Sequence, residues 1–217
     1  MIDGKPALLE LFCGTKSVGK EFEKRGVTVV SSDFDPQFDA TITADILTLD
    51  PHDFAHIGFD FIWASPPCNA FTVMLIGKNW TKDHQPKTDS ARLGMKILDK
   101  TVEFIEVMTA ANPKLQWWFE NPRAKMRKMP VVQRFTRQTV TYCQYGDTRM
   151  KPTDIWTNTE WQPRPICKNG APCHESAPRG SKGGTQGITS GSSTSRDRAV
   201  IPAELCAEIA DYALGQL

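Results

Sequence analysis

Apolar residues along this chain fall into short runs separated by turn residues, with one long helical spacing between them. Ala7-Leu8-Leu9-Glu10-Leu11-Phe12 reads as a strand, Gly14 and Gly19 flank a turn, and Lys16 to Arg25 reads as a helix stopped by Gly26. Val27 to Ser32, rich in β-branched residues, reads as a second strand that ends at Asp33. A third short strand is predicted near residues 40–42, a fourth over 59–64 and a fifth in "LQWWFENP". Leu93, Ile97, Leu98, Val102, Ile105 and Met108 recur mostly at spacings of three and four, one helical face expected to pack in the core. Thr88, Asp89 or Ser90 would cap that helix, and Pro113 marks its stop near Ala111. "TVTYCQYGDTRMKPTDIWTN" reads as two short strands around a Gly146-Asp147 turn, and "IPAELCAEIADYAL" as a closing helix with Pro202 at its start. Strand–helix–strand alternation of this kind predicts an α/β fold with a parallel sheet covered by helices.

Two stretches break the pattern. "NAFTVMLIGKNWTKDHQPKTD" is too long for a simple connection, and loops of that length are usually functional or mobile. From Glu160 to Arg198, Pro, Gly, Ser and Thr dominate, which reads as a loop-rich insertion.

The totals add limits. A chain of 217 residues with 40% hydrophobic and 24% charged content fits one globular domain. The longest apolar runs are too short to cross a bilayer and the first residues show no secretory leader, so a cytoplasmic protein without a membrane partner is expected. Six cysteines in that setting are more naturally thiols, nucleophiles or metal ligands than disulfides. A net charge of +1 neither requires nor excludes nucleic acid, because a basic face can hide in a neutral total.

The candidate chemistry gathers at the strand ends. A glycine turn between strand and helix is a site for the polar end of a cofactor. Asp33 could accept from ribose hydroxyls, and Asp45, after the third strand, from an adenine amino group. Either acid alone serves as well as a cap or a solvated loop residue. Both in register with the glycine turn suggest a nucleoside cofactor at the carboxyl edge of a parallel sheet, and the absence of a phosphate-binding P-loop argues against an ATPase. Cys68 follows the fourth strand, stiffened by Pro66 and Pro67. Nucleophile, metal ligand and packing residue all remain open for it on this evidence. Glu120 and Asn121 end the fifth strand. A carboxylate beside a thiol would raise the thiol pKa, so the natural task for Glu120 is to donate to a substrate ring nitrogen.

Taken together and in order, "ELFCGTKSVG", "SPPCNAFT", "FENP" and "RAVIPAELCAEIADYAL" resemble the DNA (cytosine-5) methyltransferases over residues 7–157 and 197–216. The resemblance implies a Rossmann-like S-adenosylmethionine-dependent methyltransferase fold, a mostly parallel sheet with helices on both faces. It implies Cys68 as the nucleophile that adds to cytosine C6, and Glu120 as the group at N3. Cofactor positions carried over by the resemblance are Phe12, Cys13, Gly14, Asp33, Phe34, Asp45, Ile46, Pro66, Arg198 and Ala199. DNA is the implied partner, with the target base flipped from the duplex. Residues 1–157 and 197–217 would form the catalytic domain, and 158–196 a reduced target-recognition insertion.

Three departures bear on that expectation. Where the family pattern reads Gln-x-Arg-x-Arg, this chain has Asp147, Arg149 and Lys151, so Arg149 and Lys151 are the expected catalytic cations. The recognition segment is short, which leaves room for RNA as an alternative substrate. The last motif, usually Gly-Asn-Ala-Val-Pro, here runs Asp197-Arg198-Ala199-Val200-Ile201-Pro202. Arg198 would meet the methionine end of the cofactor and could select a carboxylated S-adenosylmethionine; pairing with Asp197 or solvent is the plainer reading. A catalytically silent binding module is the alternative from another class, and intact Cys68 and Glu120 argue against it. An adenine-N6 enzyme would need an aromatic residue where "SPPC" has its cysteine.

Cys167, Cys173 and His174, with Cys143 nearby after folding, are zinc-type ligands, but their spacing is not the usual Cys-x₂₋₄-Cys pair. Metal-free loop thiols are the expectation. The thiols of Cys13 and Cys206 read as packing.

Overall fold

The computed structural model describes residues 2–175 and 195–217, without the side chains of Ser195 and Arg198. Seven strands, β1 (Ala7–Leu11), β2 (Thr28–Asp33), β3 (Ile42–Thr43), β4 (Phe61–Ala64), β5 (Gln116–Pro122), β6 (Thr136–Thr141) and β7 (Pro152–Thr157), form one sheet in the order β3-β2-β1-β4-β5-β7-β6. Neighbours from β3 to β5 run parallel, and β7 lies antiparallel between β5 and β6. The helices are α1 (Ser17–Glu23), α2 (His52–Ala55), α3 (Ile76–Asn79), α4 (Asp89–Ala111), α5 (Ser195–Ala199) and α6 (Ala203–Leu214).

Strand side chains alternate between two buried cores, which is why the strands read as continuous apolar runs rather than as alternating ones. Leu9, Leu11, Ile62, Ala64, Trp117 and Phe119 pack with Phe54 of α2 and with Leu98, Val102, Phe104, Ile105 and Met108 of α4. Leu8, Phe61, Trp63 and Trp118 pack on the opposite face with Val18 and Phe22 of α1 and with Leu205, Ile209 and Ala213 of α6. The chain winds outward from β1 in both directions, so β1 and β4 flank a switch point at the carboxyl edge, where ligands of open α/β sheets bind.

Thr88 caps α4 through Oγ1, which accepts from Ala91 N at 3.2 Å. One member of the predicted core stripe departs from expectation: Leu93 is 50% exposed, and with Ser90, Gly94 and Ile97 it lines a cavity. Helical spacing gives the face of a side chain, and here the first turns of that face meet a cavity instead of the core.

The connection from β6 to β7 is longer than a tight hairpin. A 3₁₀ turn over Tyr142–Tyr145 intervenes, ended by Gly146 at φ 82°. The long stretch after Cys68 is anchored at its base: Asn79 Nδ2 and Trp80 Nε1 both donate to the carbonyl of Ala70, and Phe71 stacks on Trp80 at 5.2 Å. Its Val73 and Met74 are exposed. Of the expected insertion, residues 158–175 are described and are tied to β5 and α6. Asn158 bridges Trp117 N and Leu115 O, Trp161 is buried, and Arg164 pairs with Glu204 and Glu208 of α6. The remainder, to Thr194, lies outside the described residues. Among the described residues no helix is long and apolar enough to cross a membrane.

Candidate active site

The turn after β1 is built on backbone that side chains rarely adopt. Phe12, Gly14 and Lys16 all have positive φ, at 58°, 47° and 57°. Asp33 braces it: one carboxylate oxygen accepts from Gly14 N at 3.0 Å and the other from Asp35 N at 3.0 Å. Cys13 N donates to Ser32 O at 3.0 Å, so β2 holds the turn from its own end. The Cys13 thiol is buried, and burial first, with the Glu10 and Asp33 charges adding, pushes its pKa up to about 11.

A cavity of about 390 Å³ opens beside this turn. Phe12, Asp33, Phe34, Asp45 and Ile46 line one side; Pro67, Asn69 and the first turns of α4 line the other. Phe34 is 68% exposed at this cavity. Asp45 also caps the short turn Ile46–Thr48 by accepting from Leu47 N at 3.0 Å.

A second cavity, about 380 Å³, shares Phe12, Pro67 and Asn69 with the first. Cys13, Gly14, Pro66, Cys68, Glu120, Lys151 and Ala199 line it. Cys68 therefore meets Glu120 and Lys151 across one space, although they come from β5 and from the residue before β7. Asn121 joins the two strand ends by donating from Nδ2 to Pro66 O at 2.8 Å.

Glu120 is buried, and Tyr142 donates its hydroxyl to Oε1 at 3.2 Å. Burial raises the Glu120 pKa, against the Lys151 charge and the Tyr142 hydrogen bond. Lys151 is buried too, with Nζ 4.4 Å from the centroid of the Tyr142 ring. Burial lowers its pKa, the Glu120 carboxylate opposes that, and its charge also acts on Cys68.

Arg149 sits differently from Lys151. Its Nε donates to both Asp147 oxygens at 2.9 and 3.1 Å, and Nη1 reaches the carbonyl of Asp197 at 3.3 Å. It ties the turn before Lys151 to α5 and does not line the cavity. The side chain of Arg198 lies outside the described residues.

One residue escaped the sequence reading. Glu10, in the middle of β1, is buried and lines the second cavity, and one of its carboxyl oxygens has no hydrogen-bond partner. Burial pushes its pKa up to about 7, against hydrogen bonds from the backbone of Gly19 and Val18. The available signal was a single acid inside an apolar strand, since buried carboxylates need a partner or a task.

No family model matches the chain. A probable DNA (cytosine-5)-methyltransferase of Frog virus 3 (isolate Goorha) is 31% identical over 159 residues, covering 70% of this chain and 71% of that protein. The chain belongs to the DNA (cytosine-5)-methyltransferase family. The crystal structure of the S. pombe Dnmt2 methyltransferase shares its fold, with a TM-score of 0.51 at 14% identity over 72% of this chain. The match covers 53% of that longer protein, so this member of the family spans about half its length.

Proposed function

We propose that this chain transfers a methyl group from S-adenosylmethionine to C5 of cytosine in DNA, through a covalent adduct on Cys68. The observation that carries the reading is the convergence of Cys68, Glu120 and Lys151 on one cavity that adjoins the cavity of Asp33, Phe34 and Asp45. The residues present fit the cofactor. Phe34 offers an exposed aromatic face, Asp33 and Asp45 offer acceptors, and Glu10 adds a buried carboxyl to the lining of the adjoining cavity. When bound there, S-adenosylmethionine supplies an electrophilic methyl group.

The chain's own residues prepare the base. The Cys68 sulfur forms a bond to C6, and the electron pair displaced toward the ring is met at N3 by a proton from Glu120. C5 thereby gains enamine character, which the free base lacks. Burial suits Glu120 to this task because it holds the carboxyl's proton at higher pH than usual. Lys151 places a cation beside both groups. After methylation, solvent water takes the C5 proton, the S–C6 bond breaks to return the thiolate, and N3 gives its proton back to Glu120.

Transfer of labelled methyl to DNA and RNA oligonucleotides tests the reading. Label in 5-methylcytosine of DNA, absent with Cys68→Ala, is the expected result. Label confined to RNA would assign the same chemistry to the other polymer, and no transfer to either would favour a silent binding module. Running the assay with carboxylated cofactor tests whether Arg198 selects it.

A further inference from the structure

Four side chains that the proposed reaction does not use meet beside the end of β6. Cys143 lies in the turn that follows this strand, and Cys167, Cys173 and His174 come from the stretch after β7. Their three sulfurs and one imidazole nitrogen all lie within 4.8 Å of one another. The sulfurs of Cys167 and Cys173 are 3.2 Å apart, and each is 3.5 Å from His174 Nδ1.

These separations are too long for a disulfide and lie close to those of a metal centre. A disulfide would need about 2.05 Å between sulfurs. Tetrahedral zinc, with bonds of about 2.3 Å to sulfur and about 2.0 Å to nitrogen, holds its donors roughly 3.5–3.8 Å apart. Three thiolates and an imidazole are soft donors that select zinc over magnesium or calcium, and four protein ligands leave no open position, the signature of a structural site. Cys143 and His174 are 7% and 9% exposed while Cys173 faces solvent, so the cluster is built into the protein yet open to an ion.

The ligand stretch is also held at both ends without metal. Cys167 N donates to Thr141 Oγ1 at 2.8 Å, and Glu175 N donates to Thr148 O at 2.9 Å. Such bonds preorganise a site that the chain spacing alone disguised, because the fourth ligand arrives from the far side of β7.

We propose that Cys143, Cys167, Cys173 and His174 form a structural zinc site. It pins the segment after β7 to the turns over Tyr142–Tyr145 and 147–151. Those turns carry Tyr142, the donor to Glu120, and lead to Lys151.

The test uses the full chain, purified reduced, stripped of metal and titrated with zinc or cobalt(II). About one equivalent of either should bind, and cobalt should give thiolate charge-transfer and tetrahedral visible bands. Cys173→Ser, at the exposed ligand, should weaken binding more than the roughly 10–100-fold loss typical of an outer-shell change. His174→Cys should keep the metal and strengthen the charge-transfer band, and Cys68→Ala should leave binding unchanged. The proposal fails if the stripped wild type binds no stoichiometric metal, if Cys173→Ser binds as wild type does, or if the fresh protein carries a Cys167–Cys173 disulfide. None of these readouts depends on methyl transfer.

Discussion

Asn121 reaches from the end of β5 to the carbonyl oxygen of Pro66, 2.8 Å away and buried. This bond connects the strand end that presents Glu120 with the one that presents Cys68. The prolines stiffen the turn but donate nothing, so the carbonyl of Pro66, between the two rings, takes its partner from β5. Asn121→Ala would leave that carbonyl buried and unpaired, a loss of about 1–3 kcal/mol in stability. A larger fall in kcat than in cofactor affinity is expected, because the spacing of the two reactive groups changes while the first cavity does not. Chemical denaturation and steady-state kinetics measure both.

Replacement of Glu120 by Gln removes the proton donor at nearly constant shape. General acid groups contribute roughly 10²–10⁴-fold, and a fall of that order in kcat/KM is expected. The alkaline limb of the pH profile that belongs to this carboxyl should vanish with it. Unchanged kinetics would remove Glu120 from the mechanism.

Lys151→Met tests the electrostatic coupling by its sign. The Lys151 cation stabilises the Glu120 carboxylate and so opposes the upward push of burial. Without that cation the Glu120 pKa rises further, and the alkaline limb of kcat/KM should move to higher pH even as the rate falls. A limb that stays put or moves to lower pH would contradict the coupling.

Gly94 of α4 touches the turn after Cys68. A Cβ there would stand 2.5 Å from Ala70 Cβ and 3.3 Å from the Phe71 ring. Since Ala70 and Phe71 are buried, Gly94→Ala must move the turn or the helix, at a cost of about 1–3 kcal/mol. Weaker cofactor binding should accompany the loss, because Gly94 lines the first cavity. Calorimetric titration with S-adenosylmethionine would show it.

Glu10 makes a prediction about stability in the absence of cofactor. Its pKa rises from an ordinary 4.5 to about 7 on folding, so the folded state holds the proton more tightly than the unfolded state. Stability from this group is therefore greatest below about 4.5 and falls as pH climbs toward about 7. Relative to Glu10→Gln, the wild type should lose roughly 3 kcal/mol across that window. Parallel denaturation curves for the two proteins at each pH would contradict the burial cost.

Much of this architecture was written locally. Glycines and β-branched runs mark β1, α1 and β2, and Thr88 with Pro113 brackets α4 at its observed ends. The Pro-Pro-Cys and Glu-Asn motifs carried Cys68 and Glu120 to one cavity because adjacent parallel strands present their carboxyl ends together. What escaped depends on partners distant in sequence. The insertion of β7 between β5 and β6 is a pairing choice that no local pattern records. Leu93 kept its helical face and met a cavity. Asp33 could serve as cap or as cofactor acceptor, and its bracing of the glycine turn, with both oxygens taking backbone donors, shows only in the folded chain. The approach of Cys143 to Cys167, Cys173 and His174 is expected from the sequence, but the closeness of all four donor atoms depends on the folded chain.

Covalent trapping on DNA containing 5-fluorocytosine tests the central claim most directly. Fluorine at C5 cannot leave as a proton does, so the Cys68 sulfur should remain bonded to C6 after methylation. Wild-type protein with S-adenosylmethionine should give a denaturation-resistant protein–DNA adduct whose peptide map places the bond on Cys68, and Cys68→Ala should give none. An adduct that persists in Cys68→Ala, or that maps to another cysteine, would contradict the assignment.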